Sequence, residues 1–213
     1  MNDMFRMMAG GGSEEERGSG YPKGLAFGTV QKDHDDSGLG RVRVKLELHK
    51  EGEKSFWARL AVPMAGDQTG TWFRPHEGDE VLVGFIGEDA SHPVIVGAVW
   101  NSKAPPPEFQ SNAKNEVRVI RTPAGHELRF NDSSDGEIEL QMKGGSRLFL
   151  KAGEATLEDR QGNTVSMKDG TLTLKATTRI ELSAPIIEIK AQTQLKLNGG
   201  GSCKMEAGLV EIN

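Results

Sequence analysis

Cysteine is nearly absent from this chain: Cys203 is the single one in 213 residues. That excludes an intrachain disulfide and a metal cluster built from cysteines. Long apolar runs are missing too, and nothing approaches the ~20 residues that a membrane-spanning helix needs. The opening stretch MNDMFRMMAGGGSEEERGSG holds no signal-peptide core, so the expected chain is one made in the cytoplasm. Aromatic residues make up 6% and hydrophobic residues 36%, little material for a self-sufficient core. Neither sign of charge dominates: 26 Lys and Arg stand against 31 Asp and Glu, a net charge of −5. The basic excess of a nucleic-acid binder is missing.

Reactive groupings are equally scarce. The five histidines, His34, His49, His76, His92 and His126, are widely spaced, and none pairs with another at metal-ligand spacing. His126 and Glu127 are neighbours, but on a strand neighbours point to opposite faces, which makes a poor acid–base pair. The adjacent acids Asp35-Asp36 and Glu88-Asp89 fall in turns and read as solvated loop charges. The run Gly10-Gly11-Gly12 is followed by no Lys-Ser/Thr and reads as linker. No catalytic, cofactor-binding or metal-binding residues are expected, and no enzymatic activity.

What is plentiful is glycine, 27 residues, set among short β-branched runs. Residues 1–23 read as a flexible leader, in which Met4, Phe5, Met7 and Met8 form a small docking patch. Residues 24–101 contain five strand-like runs: GLAFGTVQKD, GRVRVKLEL, SFWARLAVP, DEVLVGFIG and HPVIVGAVW. Gly, Asp, Ser and Pro clusters separate them, and the DSG turn at Asp36–Gly38 joins the first two as a hairpin. Five short antiparallel strands in this length suit a small closed barrel of the OB type, which removes exposed strand edges. Residues 102–115 include the stiff proline segment APPPEF. Residues 116–146 read as hairpins, with turns at Thr122–Gly125 and Asp132–Gly136.

From residue 147 to 213 the pattern is a strand–turn repeat. Apolar residues recur at Leu157, Val165, Leu172, Ile180, Ile187, Leu195, Cys203 and Val210, in steps of 8, 7, 8, 7, 8, 8 and 7. A fixed short period signals a solenoid. Each strand offers only two or three inward residues, such as Leu172, Leu174 and Ala176. Alone, the chain would leave this stripe wet, while ordering costs roughly 1–2 kcal/mol per residue in backbone entropy. At ~25 cal/mol per Å² the stripe must be covered on all sides to offset that. Three identical chains meeting at a threefold axis supply the cover; the other reading is an ordinary single-chain β-sheet or solenoid, which calls for longer strands or bulkier inward residues. The expected trimer core is Val165, Leu172, Leu174, Ile180, Leu182, Ile187, Ile189, Leu195, Leu197, Val210 and Ile212, with Cys203 on the same inward phase. Outward residues, among them Lys175, Arg179, Glu181, Glu188, Lys190 and Lys196, alternate in charge and keep the assembly soluble.

The segment Trp57–Asn101, with its pieces WARL, P-x-x-GDEVLVGF and HPVIVGAVWN, resembles the OB domain of the phage baseplate assembly protein V and VgrG spike family. RTPAGHELRFNDSSDGEIEL (Arg121–Leu140) is similar to the neck after that domain, with Asn131 where the family usually has Asp. The resemblance implies an all-β chain: an N-terminal OB-fold barrel followed by a C-terminal intertwined trimeric β-helix, the needle of a contractile injection machine. It implies a homotrimer that makes transient contact with a target membrane, as part of a virion or phage tail-like particle. A separate hub protein is the expected partner at the OB end, because VgrG proteins carry a hub-like domain where this chain has 23 residues. A PAAR-type tip protein is expected at the other end, docking on Val210, Glu211, Ile212 and Asn213. No nucleic-acid partner is expected. The alternatives are a trimeric tail fibre or adhesin, and an OB-type module binding oligonucleotides or oligosaccharides.

Overall fold

A computed structural model describes residues 24–47, 55–89, 91–108, 114–133 and 135–211. The leader at 1–23, with its methionine patch, and Ile212 and Asn213 of the expected docking and core groups lie outside the described residues. The described residues form two compact units, Met1–Phe109 and Gln110–Asn213. No helix among them is long and apolar enough to cross a membrane.

In the first unit, β1 (Leu25–Lys32), β2 (Val42–Leu46), β3 (Ser55–Leu60), β6 (Glu80–Phe85) and β7 (Pro93–Ala98) close into a barrel in the order β1-β2-β3-β7-β6. These are the five runs that the sequence marks. Their alternation explains the core: Val42, Val44 and Leu46 of β2, and Val81 and Val83 of β6, point inward at period two. Val30, Ala58 and Ile95 complete it, with Phe56, Leu60 and Phe85 packed around. Small β-branched side chains suit so narrow an interior. The expectation of antiparallel pairing throughout needs one correction: β3 and β7 are parallel, Arg59 opposite Val94 and Leu60 opposite Ile95. An odd number of strands cannot close into a ring with every neighbour antiparallel, so one parallel pair is forced. Between β3 and β6 lie a small hairpin, β4 (Ala65–Gly66) with β5 (Thr69–Gly70), and after β6 a short 3-10 turn at Ile86–Glu88.

The second unit is one antiparallel meander of seven five-residue strands: β8 (Val117–Arg121), β9 (Glu127–Asn131), β10 (Glu137–Gln141), β11 (Arg147–Lys151), β12 (Glu154–Glu158), β13 (Thr164–Lys168) and β14 (Thr171–Lys175). Sequence reasoning puts a change of architecture at Arg147. The pairing continues across that point, β10 bonding to β11 as β9 bonds to β10. The steps of 7 and 8 that suggest a winding solenoid are, over residues 154–175, the return lengths of hairpins. Leu157 lies directly opposite Val165, and Val165 opposite Leu174. In the Asp169–Gly170 turn both residues have positive φ, 49° and 73°, which is the two-residue geometry that suits the twist of a hairpin. Beyond Lys175 the described chain runs to Glu211 without forming a strand.

Candidate assembly surface

The meander is a single layer, and its two faces differ sharply. Because partners across an antiparallel pair share a face, the register sorts them. One face carries the pairs Ile120–Leu128, Phe130–Ile138, Leu140–Leu148, Leu150–Ala155, Leu157–Val165 and Met167–Leu172, with Leu174 across from Val165. The other carries Arg121, Glu127, Arg129, Glu139, Arg147, Glu158, Lys151, Glu154 and Lys168. There Arg147 sits between Glu158 (3.1 Å) and Glu139 (3.8 Å), and Glu154 between Lys168 (3.2 Å) and Lys151 (3.9 Å). Arg147 and Lys151 also flank the Phe149 ring at 5.8 and 5.9 Å. Such exposed ion pairs add little stability each. They do fix which face water keeps.

Within this unit, no described strand packs over the apolar face. Leu174 is 52% exposed and Leu172 63%. A soluble protein rarely leaves an apolar surface of this extent uncovered. Of the expected core residues, Val165, Leu172 and Leu174 share this face. Ile180, Leu182, Ile187, Ile189, Leu195, Leu197 and Val210 lie in the segment beyond it, all exposed in the single chain, as is Cys203. That segment keeps a strand's alternation. Arg179 pairs with Glu181 at 2.7 Å and Glu188 with Lys190 at 2.8 Å. Residues two apart meet on one side of an extended backbone, which leaves Ile180 and Leu182, and Ile187 and Ile189, to the other.

Sequence reasoning began this apolar set at Val165 and missed Ile120, Leu128, Phe130, Ile138, Leu140, Leu148 and Leu150. The signal was present: VRVIR, ELRFN, EIELQ and RLFLK carry the same period-two alternation. Reading them as separate neck hairpins hid it.

Elsewhere, polar clusters serve turns. In the loop between β1 and β2, Asp35 is buried; it accepts from Arg41 Nε (2.8 Å), Ser37 Oγ (2.6 Å) and Ser37 N (3.0 Å). Arg41 first, then Ser37, hold its carboxyl well below the usual carboxylate range. Asp89, Ser91 and His92 stand together, but Ser91 Oγ and Asp89 Oδ2 both approach the same ring nitrogen, Nδ1, at 2.9 Å. A nucleophilic triad needs the serine and the carboxylate on opposite nitrogens. The cluster is a turn, in which the Ser91 backbone N–H, its hydroxyl and His92 lower the Asp89 carboxyl to about 2. Among the described residues, no group of three His, Cys, Asp or Glu side chains is placed to hold a metal. A groove of about 630 Å³ in the barrel unit is lined by Leu39, Arg59, Met64, Trp72, Phe73 and Arg74 among others.

Residues 26–100, the barrel almost strand for strand, match the model of the type VI secretion system/phage-baseplate injector OB domain. The barrel is thus an OB domain of the kind found in type VI secretion and phage-baseplate injectors. The chain's similarity to VgrG proteins extends past the barrel. It is 35% identical over 122 residues to the type VI secretion system spike protein VgrG4b of Pseudomonas aeruginosa, which covers 53% of this chain and 14% of that protein. It is 29% identical over 156 residues to VgrG1a of the same organism, 70% of this chain and 22% of that one. The actin cross-linking toxin VgrG1 of Vibrio cholerae is 28% identical over 102 residues, 47% of this chain and 9% of the toxin. The chain thus spans between 9% and 22% of the length of these VgrG relatives.

Proposed function

We propose that the chain is a structural component of the central spike of a contractile injection baseplate and works as a homotrimer. The observation that carries this reading is the uncovered apolar face running from Ile120 in β8 to Leu174 in β14. Three such faces turned toward one axis bury each other, while the Arg/Glu faces remain in water. The segment from Ala176 onward, which alternates like a strand and forms none among the described residues, is the part to which we assign the intertwined needle. Its core would be Ile180, Leu182, Ile187, Ile189, Leu195, Leu197, Val210 and Ile212. In this reading the barrel meets a separate hub protein, and Val210, Glu211, Ile212 and Asn213 receive a tip protein of the PAAR type. The work is mechanical, with stiffness from continuous backbone hydrogen bonding and a dry interior whose many small contacts act together. We assign the chain no enzymatic activity.

Light scattering on the purified chain tests the architecture. A mass of three chains, resistant to heat and detergent, is the expected result, and a monomer across micromolar concentrations refutes it.

A further inference from the structure

The groove in the barrel unit is a surface that neither the core nor the turns of the barrel explain. It lies at the end where β1 passes into β2. Leu39 comes from that loop, Arg59 from the end of β3, and Met64, Trp72, Phe73 and Arg74 from the segment that holds the β4–β5 hairpin. Trp72 is 66% exposed and Phe73 69%, with Leu39 and Met64 also exposed. The Trp72 ring is nonetheless held in place, its edge close against Gly40 and the Arg74 guanidinium 5.6 Å from its centre. Neither Arg59 nor Arg74 forms an ion pair with an acid among the described residues. Exposed aromatics grouped in one concave site mark a binding surface. Unpaired guanidiniums beside them ask for carboxylates. An occupant should therefore carry apolar side chains and negative charge on one short segment.

The leader, outside the described residues, carries both. Met4, Phe5, Met7 and Met8 supply apolar groups, and Glu14, Glu15 and Glu16 follow them. Across residues 1–17, four acids stand against two arginines. Methionine is unbranched and polarizable, so it adapts to an irregular surface and packs well on aromatic rings. We propose that residues 4–16 occupy the groove of their own barrel, the methionines and Phe5 against Trp72 and Phe73, the glutamates toward Arg59 and Arg74.

Reach decides between this occupant and a free acidic peptide. The leader joins the barrel at Gly24, and the groove lies at the other end of β1, where Lys32 pairs with Arg43 and Val42 with Ala58. The 8 residues of β1 rise about 26 Å. Glu16 stands eight residues before Gly24, and eight extended residues span about the same distance. Met8 and Met4 stand 16 and 20 residues before it. A Gly/Ser-rich chain of that length has a root-mean-square span of about 20–27 Å. A tether whose typical span matches the distance to its site holds its end there at an effective concentration near the millimolar range. Even a weak contact is then mostly formed, an advantage that no untethered peptide of the same chemistry has. The contact lies within one chain, so it stands or falls independently of the trimer reading.

Hydroxyl-radical footprinting of the full chain, read by mass spectrometry, tests the contact side chain by side chain. The variant carrying Met4→Ser, Phe5→Ser, Met7→Ser and Met8→Ser should label Trp72 and Phe73 at least threefold faster than the parent chain. Trp57, away from the groove, should label at the same rate in both and so reports that the barrel is intact. Arg59→Glu with Arg74→Glu should also raise labelling at Trp72 and Phe73. Adding Glu14→Lys, Glu15→Lys and Glu16→Lys to that pair should restore protection, a rescue that a damaged groove would not show. p-Benzoylphenylalanine in place of Phe5 should cross-link to residues 59–74 in a band of one chain's mass. Equal labelling of the parent and the serine variant overturns the inference. So do cross-links that fall outside 59–74 or form only between copies. Failure of the charge exchange to restore protection overturns the assignment of Glu14–Glu16 to Arg59 and Arg74.

Discussion

Leu174 and Thr173 are consecutive in β14 and face opposite sides of the meander. Placing an aspartate at each in turn asks which side is covered in the assembly. Leu174 is 52% exposed in the single chain, so covering it gains about half of the ~1.5–3 kcal/mol that full burial of a leucine is worth. That is about 1 kcal/mol per copy and about 3 kcal/mol over a trimer. Leu174→Asp forfeits this and takes an unpartnered carboxylate out of water, at several kcal/mol per ion. Three copies converging on one axis bring the loss to the order of 10 kcal/mol, or about seven decades in association at ~1.4 kcal/mol per decade. Trimers should disappear at micromolar concentration. Thr173→Asp, on the face where Ser166 lies opposite, should change stability by no more than about 0.5 kcal/mol and leave the mass at three chains. Light scattering behind a sizing column reads the outcome. All three tryptophans, Trp57, Trp72 and Trp100, belong to the barrel unit, so their fluorescence controls for its folding. If both variants remain trimeric, or both fall apart with the barrel intact, the assignment of faces is wrong.

Two further outcomes concern the barrel. Gly40 has φ +68°, and a Cβ there would lie 2.9 Å from the Trp72 ring; Gly40→Ala should cost about 2 kcal/mol in thermal unfolding and shift tryptophan emission. Gly38→Ala, at φ +72° with open space around it, should cost about 1 kcal/mol and leave the emission unchanged. Asp35 has its carboxyl lowered in the folded state by Arg41 and Ser37, so its stabilisation is present above the ordinary carboxylate value of about 3.9 and is lost as pH falls toward the folded value. Asp35→Asn should therefore melt below the parent chain at pH 7, with the difference shrinking progressively below about pH 4 in circular dichroism melts.

The barrel was legible because each of its strands announces itself twice. GRVRVKLEL and DEVLVGFIG alternate at period two, and Gly, Asp or Pro punctuates both ends. Five such runs, all needing partners, leave few ways to close. That some neighbouring pair must be parallel was also deducible, from parity alone; that it is β3 with β7 was not. The later strands were legible one at a time but not as a set. Leu157, Val165 and Leu172 follow one another at 8 and 7 residues whether the chain winds as a solenoid or returns as hairpins, and spacing does not distinguish these. Register does: an antiparallel ladder places Leu157 against Val165, and only the paired backbone reveals it.

The amino-acid sequence by itself determined that the chain is all-β, that its first part carries its own small core, and that its second part cannot cover its apolar residues unaided. Those are consequences of composition and alternation, which act residue by residue. Tertiary structure alone decided where self-pairing stops. Strand alternation continues through Arg179–Leu182 much as it does through β14, yet β14 is paired with β13 and, among the described residues, the later segment forms no strand. What separates them is a ladder partner: Leu174 lies opposite Val165 across the β13–β14 pairing, a contact that exists only once the chain has folded back at Asp169–Gly170.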